Sequence, residues 1–444
     1  ADDPAAREHV TGYFKLHPDF VRIARAPAYP AFDKPGARLT IDTPDDLAFV
    51  EAVHERLAAK AGEASLADLL LLLEREPELR AMNAHVKQKP IVAHLGGLAL
   101  IRCDGGGKYG YGHVKRMVAL AKALRDRESI GAMFAVNGTA DALEPIKAAG
   151  FEACLVDHAE DAAFLSKLIA VRKPELLICD MRDGLGQKEL EALARGVSIT
   201  AVIDDGSERR LAADVAYYPP VPQAAVLDWT GSDCVARIGW EWALIGLTKA
   251  KTHVRPRSLR PSLLVTMGGS DPFALTLRAA RALAKLDPVF RARFVIGPGM
   301  ENAAQTAKRI AGLAPHFETI ENADDLATEF AASDLALTAF GVTAYELAAY
   351  GVPALYLCLN EDQALSASAF ERAGMGMSLG VHDRIEDFDI ASATWALIGD
   401  TARRREMHAA GLMTVDGEGA SRIAADLAQS LKQRRSATPS RIAS

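Results

Sequence analysis

From residue 91 onward, short apolar runs alternate with helical patterns, and the alternation begins twice. The runs at 98–102, 131–136, 154–156, 176–180 and 199–203 form one series; those at 263–267, 293–296, 335–338 and 354–358 form a second. Parallel strands need a long crossover, usually a helix, so strands spaced by helices predict a parallel sheet covered on both faces. The stretch 248–261, rich in Lys, Arg and Pro, separates the two series. The expected fold is α/β: two Rossmann-type, doubly wound parallel-sheet domains at 91–247 and 262–430, joined by a linker at 248–261. A chain of 444 residues has the length for this, since one hydrophobic core seldom serves more than about 300.

Residues 1–90 have a different texture, with Pro-rich extended stretches and an α-rich remainder. Thr43-Pro44-Asp45-Asp46 is a helix start, with Thr43 as N-cap, Pro44 at the first helical position and acids in the first turn. A second helix is expected over 65–76, ending before Pro77. This segment shows no sheet of its own and is a poor independent domain. At the other end, 431–444 is polar and is expected to be a disordered tail.

The net charge of −7 opposes nucleic acid or an anionic membrane surface as partner, because both need clustered positive charge. No apolar stretch reaches the roughly 20 residues of a membrane helix, since Glu346, Gly351 and Pro353 interrupt the best candidate. The five cysteines show no CxxC pair or zinc-ligand spacing, and buried thiols in a reducing cytoplasm fit them best. Asp42 has no second carboxylate nearby, so neither a metal nor a cofactor is expected. The chain begins without Met and without a signal-peptide pattern, and its start reads as a fragment.

Several motifs sit where strands end and helices begin. Gly110-Tyr111-Gly112-His113-Val114-Lys115-Arg116 follows the first run, so its glycines let backbone N–H groups approach a ligand and His113 becomes a titratable group in a cleft. The plainer reading is a capping or packing histidine. Met267-Gly268-Gly269-Ser270-Asp271-Pro272 opens the second series and could cradle a diphosphate, or be an ordinary turn with Asp271 as cap and Pro272 at the first helical position. Gly341-Val342-Thr343-Ala344-Tyr345-Glu346 starts another helix, with Thr343 and Glu346 on one face; the pair either meets a ribose or forms a capping box. Asn360-Glu361-Asp362-Gln363 lies past a strand end, where open α/β sheets bind ligands, or is a polar loop. Asp180 and Asp204-Asp205 end strands of the first sheet; each either orients His113 or the substrate, or forms a turn.

Arg102-Cys103-Asp104, the Gly110-x-Gly112-His113-x-x-Arg116 loop, Ile203-Asp204-Asp205, Gly268 to Pro272, and Glu346 with Gln363 together resemble the UDP-sugar hydrolases of the pseudaminic acid pathway over residues 95–425. The same set resembles a predicted glycosyltransferase family of spore-coat polysaccharide biosynthesis, and both are similar to the GT-B architecture of the peptidoglycan N-acetylglucosaminyltransferase. The resemblance implies a UDP-sugar substrate bound by the second domain, with Gly269 and Ser270 at phosphate, Glu346 at ribose, and Thr343 and Gln363 at diphosphate or sugar. It makes His113 the base that activates water to release UDP from an amino-deoxy sugar on a nonulosonic-acid or surface-glycan route. The alternatives are a GT-B glycosyltransferase, in which an acceptor hydroxyl replaces water, and a non-catalytic sugar-nucleotide-binding scaffold. Where the hydrolases have Asp-His-Tyr, this chain has Asp180-Met181-Arg182-Asp183, which leaves the sugar open; Ala243 to Gly246 likewise lacks the arginine of the family's segment before the linker. Arg7 to Thr11, Leu39 to Leu47 and Asn83 to Lys89 resemble the carboxy-terminal end of a spore-coat-type acylneuraminate cytidylyltransferase, whose catalytic front half and CTP loop are absent. That implies a fusion of two pathway steps, with the amino-terminal segment as a possible homodimer contact.

Overall fold

The computed structural model describes residues 39–41, 44–58, 64–83, 97–246, 260–297, 299–321 and 326–437. It divides into two units, residues 1–93 and 94–444. In the first unit, helices Pro44–Leu57, Leu66–Arg75 and Pro77–Ala81 enclose a small core of Phe49, Val53, Leu73 and Leu79. Ser65 and Asp68 form a reciprocal capping box that starts the second helix, and buried Asn83 donates to Asp46 Oδ1 at 3.0 Å. Thr43 and Asp42 lie outside the described residues, as do 7–11 and 84–89.

The second unit holds two all-parallel sheets. In the first, β1 (Leu98–Gly105), β2 (Gly131–Gly138), β3 (Glu152–Leu155), β4 (Leu176–Asp180), β5 (Ile199–Ile203), β6 (Val215–Tyr218) and β7 (Val235–Ile238) lie in the order β3-β2-β1-β4-β5-β6-β7. In the second, β8 (Ser262–Thr266), β9 (Arg291–Ile296), β10 (Phe317–Glu321), β11 (Leu335–Ala339), β12 (Ala354–Cys358) and β13 (Gly376–Val381) lie in the order β10-β9-β8-β11-β12-β13. Period-two alternation sends Ala99, Ile101 and Cys103 of β1 into one core and Leu100 into the core on the opposite face. Leu263 and Val265 part from Leu264 in the same way in β8. Burial on both faces is what made these strands legible as unbroken apolar runs.

Strand order reverses between β1 and β4 and again between β8 and β11. Neighbouring connections diverge at such points and leave a crevice beyond the carboxyl ends of the strands. In register, Asp180 stands beside Cys103 at that end of the first sheet.

The expected two-sheet fold is therefore present, with two differences at the carboxyl end. The helix Gly419–Ala437 runs through residue 431, where a disordered tail was expected. Its apolar residues Ile423, Ala424, Leu427 and Leu431 pack in the core of the first sheet, not the second. The apolar spacing along this helix outweighs its polar composition, because burial against another element decides the fate of so basic a segment.

Candidate active site

Helix Gly112–Glu128 begins at the crevice of the first sheet and carries His113 in its first turn and Arg116 one turn later. His113 lies next to Asp180, the last residue of β4, with Nδ1 to Oδ1 at 2.8 Å. Arg116 approaches the same carboxylate from the next turn, Nε to Oδ2 at 2.7 Å and Nη2 to Oδ1 at 2.5 Å, and reaches Asp204 Oδ2 at 3.5 Å. Asp180 is fully buried; burial alone would raise its carboxyl, but the charges and hydrogen bonds of Arg116 and His113 hold it well below the usual carboxylate range. An ionised carboxylate only accepts, so His113 donates from Nδ1, and the neutral form of the ring then has its lone pair on Nε2. The arrangement is that of an oriented general base.

Beneath it lies a second ion network. Fully buried Arg102 donates to Asp161 at 2.7 and 2.8 Å and to Asp104 at 2.9 Å. Asp104 in turn accepts from Asn137 Nδ2 at 3.1 Å and from the Arg182 N–H at 2.5 Å. Asp205 is taken up by Arg209 at 2.6 Å, so of the pair Asp204-Asp205 only Asp204 faces the crevice.

A cavity of about 420 Å³ joins the two domains. Gly112, His113, Arg116, Asp204, Gly341 and Gln363 all line it. The sequence placed these residues at a site, and the fold brings them to one wall or another of the same space. The domains touch here: a methyl group built on Gly112 would stand 3.4 Å from Val342, and one on Gly269 would stand 3.9 Å from the Tyr111 ring. Gly110 (φ +65°) and Gly268 (φ +84°) take the left-handed backbone that their loops need. The Gly268-Gly269-Ser270 loop is pressed against the neighbouring loop, where a methyl group on Gly297 would fall 2.3 Å from the Gly269 carbonyl oxygen.

Several expected ligand residues are engaged elsewhere. Both Asp271 carboxylate oxygens accept amides of the following helix, from Leu275 and Thr276, each at 2.8 Å, so this residue is a cap. Pro272 precedes the helix, which opens at Leu275. Asn360 and Gln363 also cap: Asn360 Oδ1 accepts from the Gln363 N–H at 2.9 Å, and Gln363 Oε1 accepts from the Leu359 N–H at 2.8 Å. The reverse holds at Thr343. The helix Val342–Ala349 starts from Gly341 without a side-chain cap, so the Thr343–Glu346 capping box is not formed; the Ala344 N–H turns back to the Gly341 carbonyl at 2.9 Å, and no side chain caps the Val342 and Thr343 amides beside the crevice. Glu346 is 5 % exposed and lies away from the cavity lining. Burial pushes its carboxyl up to about 7, against the opposing pull of Lys115 and a hydrogen bond from the Gly246 N–H.

Sequence reasoning missed Tyr345, Ser366 and Gln223 in the lining. Gln223 Nε2 reaches across the cleft to the Asp362 carbonyl at 2.7 Å and to Ser366 Oγ at 2.8 Å. Its one local signal was Pro222, a first-position proline starting a short helix after β6.

No protein-family model matches the chain. It is 24% identical over 341 residues to the spore coat polysaccharide biosynthesis protein SpsG of Bacillus subtilis, across 74% of this chain and 96% of that protein. Over 341 residues it is 27% identical to the UDP-N-acetylglucosamine–N-acetylmuramyl-(pentapeptide) pyrophosphoryl-undecaprenol N-acetylglucosamine transferase of Paenarthrobacter aurescens, across 68% of this chain and 88% of that one. A 72-residue match to the SpsF protein of Bacillus subtilis is 36% identical but spans 16% of this chain and 30% of that protein. Among solved structures, Acinetobacter baumannii MurG aligns with a TM-score of 0.56 at 15% identity, covering 75% of this chain and 99% of that one. The S. aureus MnaA–UDP structure aligns with a TM-score of 0.54 at 16% identity, covering 76% and 97%. The chain has the GT-B fold and is similar in sequence to enzymes and proteins of polysaccharide biosynthesis.

Proposed function

We propose that this chain is a GT-B glycosyltransferase that binds a UDP-linked sugar in the interdomain cleft and passes the sugar to an acceptor hydroxyl. The observation that carries this reading is His113, oriented by ionised Asp180 on the wall of a cavity between two strand-order reversals. In this reading Nε2 takes the acceptor proton as the acceptor oxygen bonds to the anomeric carbon. The bond from that carbon to the β-phosphate oxygen breaks, and UDP leaves with the electron pair. Negative charge then grows on the diphosphate, where the Val342 and Thr343 amides and the Gly268-Gly269-Ser270 loop are suited to receive it. Thr343 and Gln363 belong near the diphosphate or sugar, and Glu346 near the ribose.

Hydrolysis is the second reading, favoured by the likeness of the Gly110-to-Arg116 loop to that of the UDP-sugar hydrolases. It differs only in that water takes the place of the acceptor. One assay addresses both: UDP release from UDP-N-acetylglucosamine and related UDP-amino sugars, with and without candidate acceptors. The His113→Ala variant is expected to bind UDP as before and to turn over about 10²–10⁴-fold more slowly. Unchanged turnover would remove His113 as base; release that needs no acceptor would select hydrolysis.

A further inference from the structure

A second, more open cavity of about 760 Å³ lies against the first domain and borders the interdomain cavity at Arg182. Its lining runs from Arg182 and Gly186-Gln187 to Ser207, Glu208 and His158. Arg182 is exposed, and its guanidinium has no carboxylate or carbonyl partner among the described residues. The other arginines at this rim do have partners: Arg102 holds Asp161 and Asp104, Arg116 holds Asp180, and Arg209 holds Asp205.

The backbone beneath Arg182 is fixed. Its own N–H donates to buried Asp104, the Asp183 N–H points to the same oxygen at 3.4 Å, and Tyr109 donates to Asp183 Oδ2 at 2.6 Å. Gly184 has φ +115°, and a methyl group there would fall 2.1 Å from Asp161 Oδ2, so the loop fits over the buried ion network only with glycine. An unpaired guanidinium carried on a fixed backbone between two cavities is placed to meet a carboxylate or a phosphate, either of which it grips through paired N–H groups. Helix Gln187–Ala194 also opens on this cavity, its first turn already capped by Glu189, which accepts from the Gly186 N–H at 2.7 Å. Glu208 and Gln187 add an acceptor and an amide suited to hydroxyl groups.

From this geometry we infer that Arg182 is a specificity residue for an anionic, hydroxyl-bearing ligand, a sugar acid or sugar phosphate, seated in the outer cavity with its charge toward the reacting centre. The inference rests on the UDP-sugar reading for which substrate carries the charge, but not for the existence of the anion site.

Calorimetric titration of the full chain and of its Arg182→Ala and Arg182→Glu variants tests it. The probes are UDP, UDP-N-acetylglucosamine, UDP-glucuronic acid and, added to the UDP complex, N-acetylglucosamine 1-phosphate against neutral N-acetylglucosamine. Arg182 is exposed, so both variants are expected to fold, and UDP serves as the internal reference. At least one anionic probe is expected to bind the wild type better than its neutral counterpart and to lose about tenfold or more in Arg182→Ala, with a greater loss in Arg182→Glu. A loss confined to UDP-glucuronic acid puts the charge on the donor sugar; a loss confined to the sugar phosphate puts it on the acceptor. No preference for either anionic probe in the wild type, or the same anionic affinities in Arg182→Ala, overturns the inference. If UDP itself does not bind, the nucleotide reading fails, and the sugar phosphate added alone still decides the role of Arg182.

Discussion

The two domains share a strand order but line the cleft with different chemistry. At the strand ends of the first sheet the buried polar residues are mostly charged and paired: Arg102 with Asp104 and Asp161, Arg116 with Asp180, Arg209 with Asp205. The second domain buries mainly hydroxyls, with Asp271 and Glu346 its only buried charged residues among those described. What it presents to the cleft is Gly341 with the uncapped start of helix Val342–Ala349, and the side chains of Tyr345, Asp362, Gln363 and Ser366. A doubly wound sheet supplies both options at the same place, because its crevice collects helix N-termini and strand ends together. One copy of the fold has filled that place with titratable groups whose protonation states are set by neighbours. The other lines it with a helix start and with side chains that are mostly uncharged.

The largest expected effect comes from unsettling the charged side. Asp180→Asn leaves buried Arg116 with only the more distant Asp204 as counter-charge, and breaking a buried pair in this way costs about 3–5 kcal/mol of stability. It also replaces an acceptor-only carboxylate by an amide that can donate, so His113 is no longer held to donate from Nδ1 and turnover falls, by about 10²–10⁴-fold. The depressed Asp180 carboxyl sets the pH sign. The pair's stabilisation is complete above the ordinary carboxyl range near 4 and is lost only as pH falls well below it, toward the carboxyl's value in the folded protein. Urea denaturation at pH 7 and at pH 3 would therefore show a wide gap between wild type and variant at the higher pH and a narrower one at the lower. An Asp180→Asn protein as stable as the wild type at pH 7 would mean that the first domain's charges do not hold its crevice together.

What could be read beforehand follows the same division. Strands β4, β5 and β12 are legible to the residue because both faces are buried and turn residues close the run. The edge strands are not: β7 contains Arg237 and is half exposed, β10 alternates Phe317-Glu318-Thr319-Ile320-Glu321, and β13 carries two glycines. His113 and Asp180 were each visible as strand-end or loop candidates, but their contact spans 67 residues of sequence and depends on the sheet order. Capping is where local reading both succeeds and fails. Asp271 and Asn360 satisfy nearby amides, as local spacing allows, whereas Thr343 has the right offset to Glu346 yet stands inside the helix that Gly341 begins. Which domain the last helix joins lies beyond local pattern altogether, since an apolar face does not specify its partner.

A smaller effect is expected on the second domain's side, at Glu346. Its carboxyl has an ordinary value of 4.5 and stands at about 7 in the fold. The folded state therefore holds the proton more tightly, and stability falls as pH rises between those values, by up to about 3 kcal/mol. Glu346→Gln keeps the shape and still accepts from the Gly246 N–H but cannot ionise. The variant should lose this pH slope and be the more stable protein at pH 8, with little difference at pH 4.5. Denaturation midpoints across that window measure it, and parallel slopes would mean that Glu346 is solvated in solution. UDP titration of the same variant asks whether the carboxylate also serves the nucleotide: a loss of about 1–3 kcal/mol in affinity is expected if it accepts ribose hydroxyls.

The smallest effect separates a cap from a ligand contact on the same side. Asn360 begins helix Glu361–Arg372 and accepts from the Gln363 N–H, while Gln363 Oε1 accepts from the Leu359 N–H. Removing such a cap costs about 1 kcal/mol of stability. If capping is all Asn360 does, Asn360→Ala lowers the denaturation midpoint by that amount and leaves UDP affinity unchanged. Gln363 makes the sharper comparison, because it both caps and lines the cavity. Gln363→Ala should lose a similar amount of stability and, in addition, affinity for a UDP-sugar. Equal losses of affinity in the two variants would show that the cap itself positions the ligand, and the second domain would then bind through side-chain-ordered loops rather than through backbone alone.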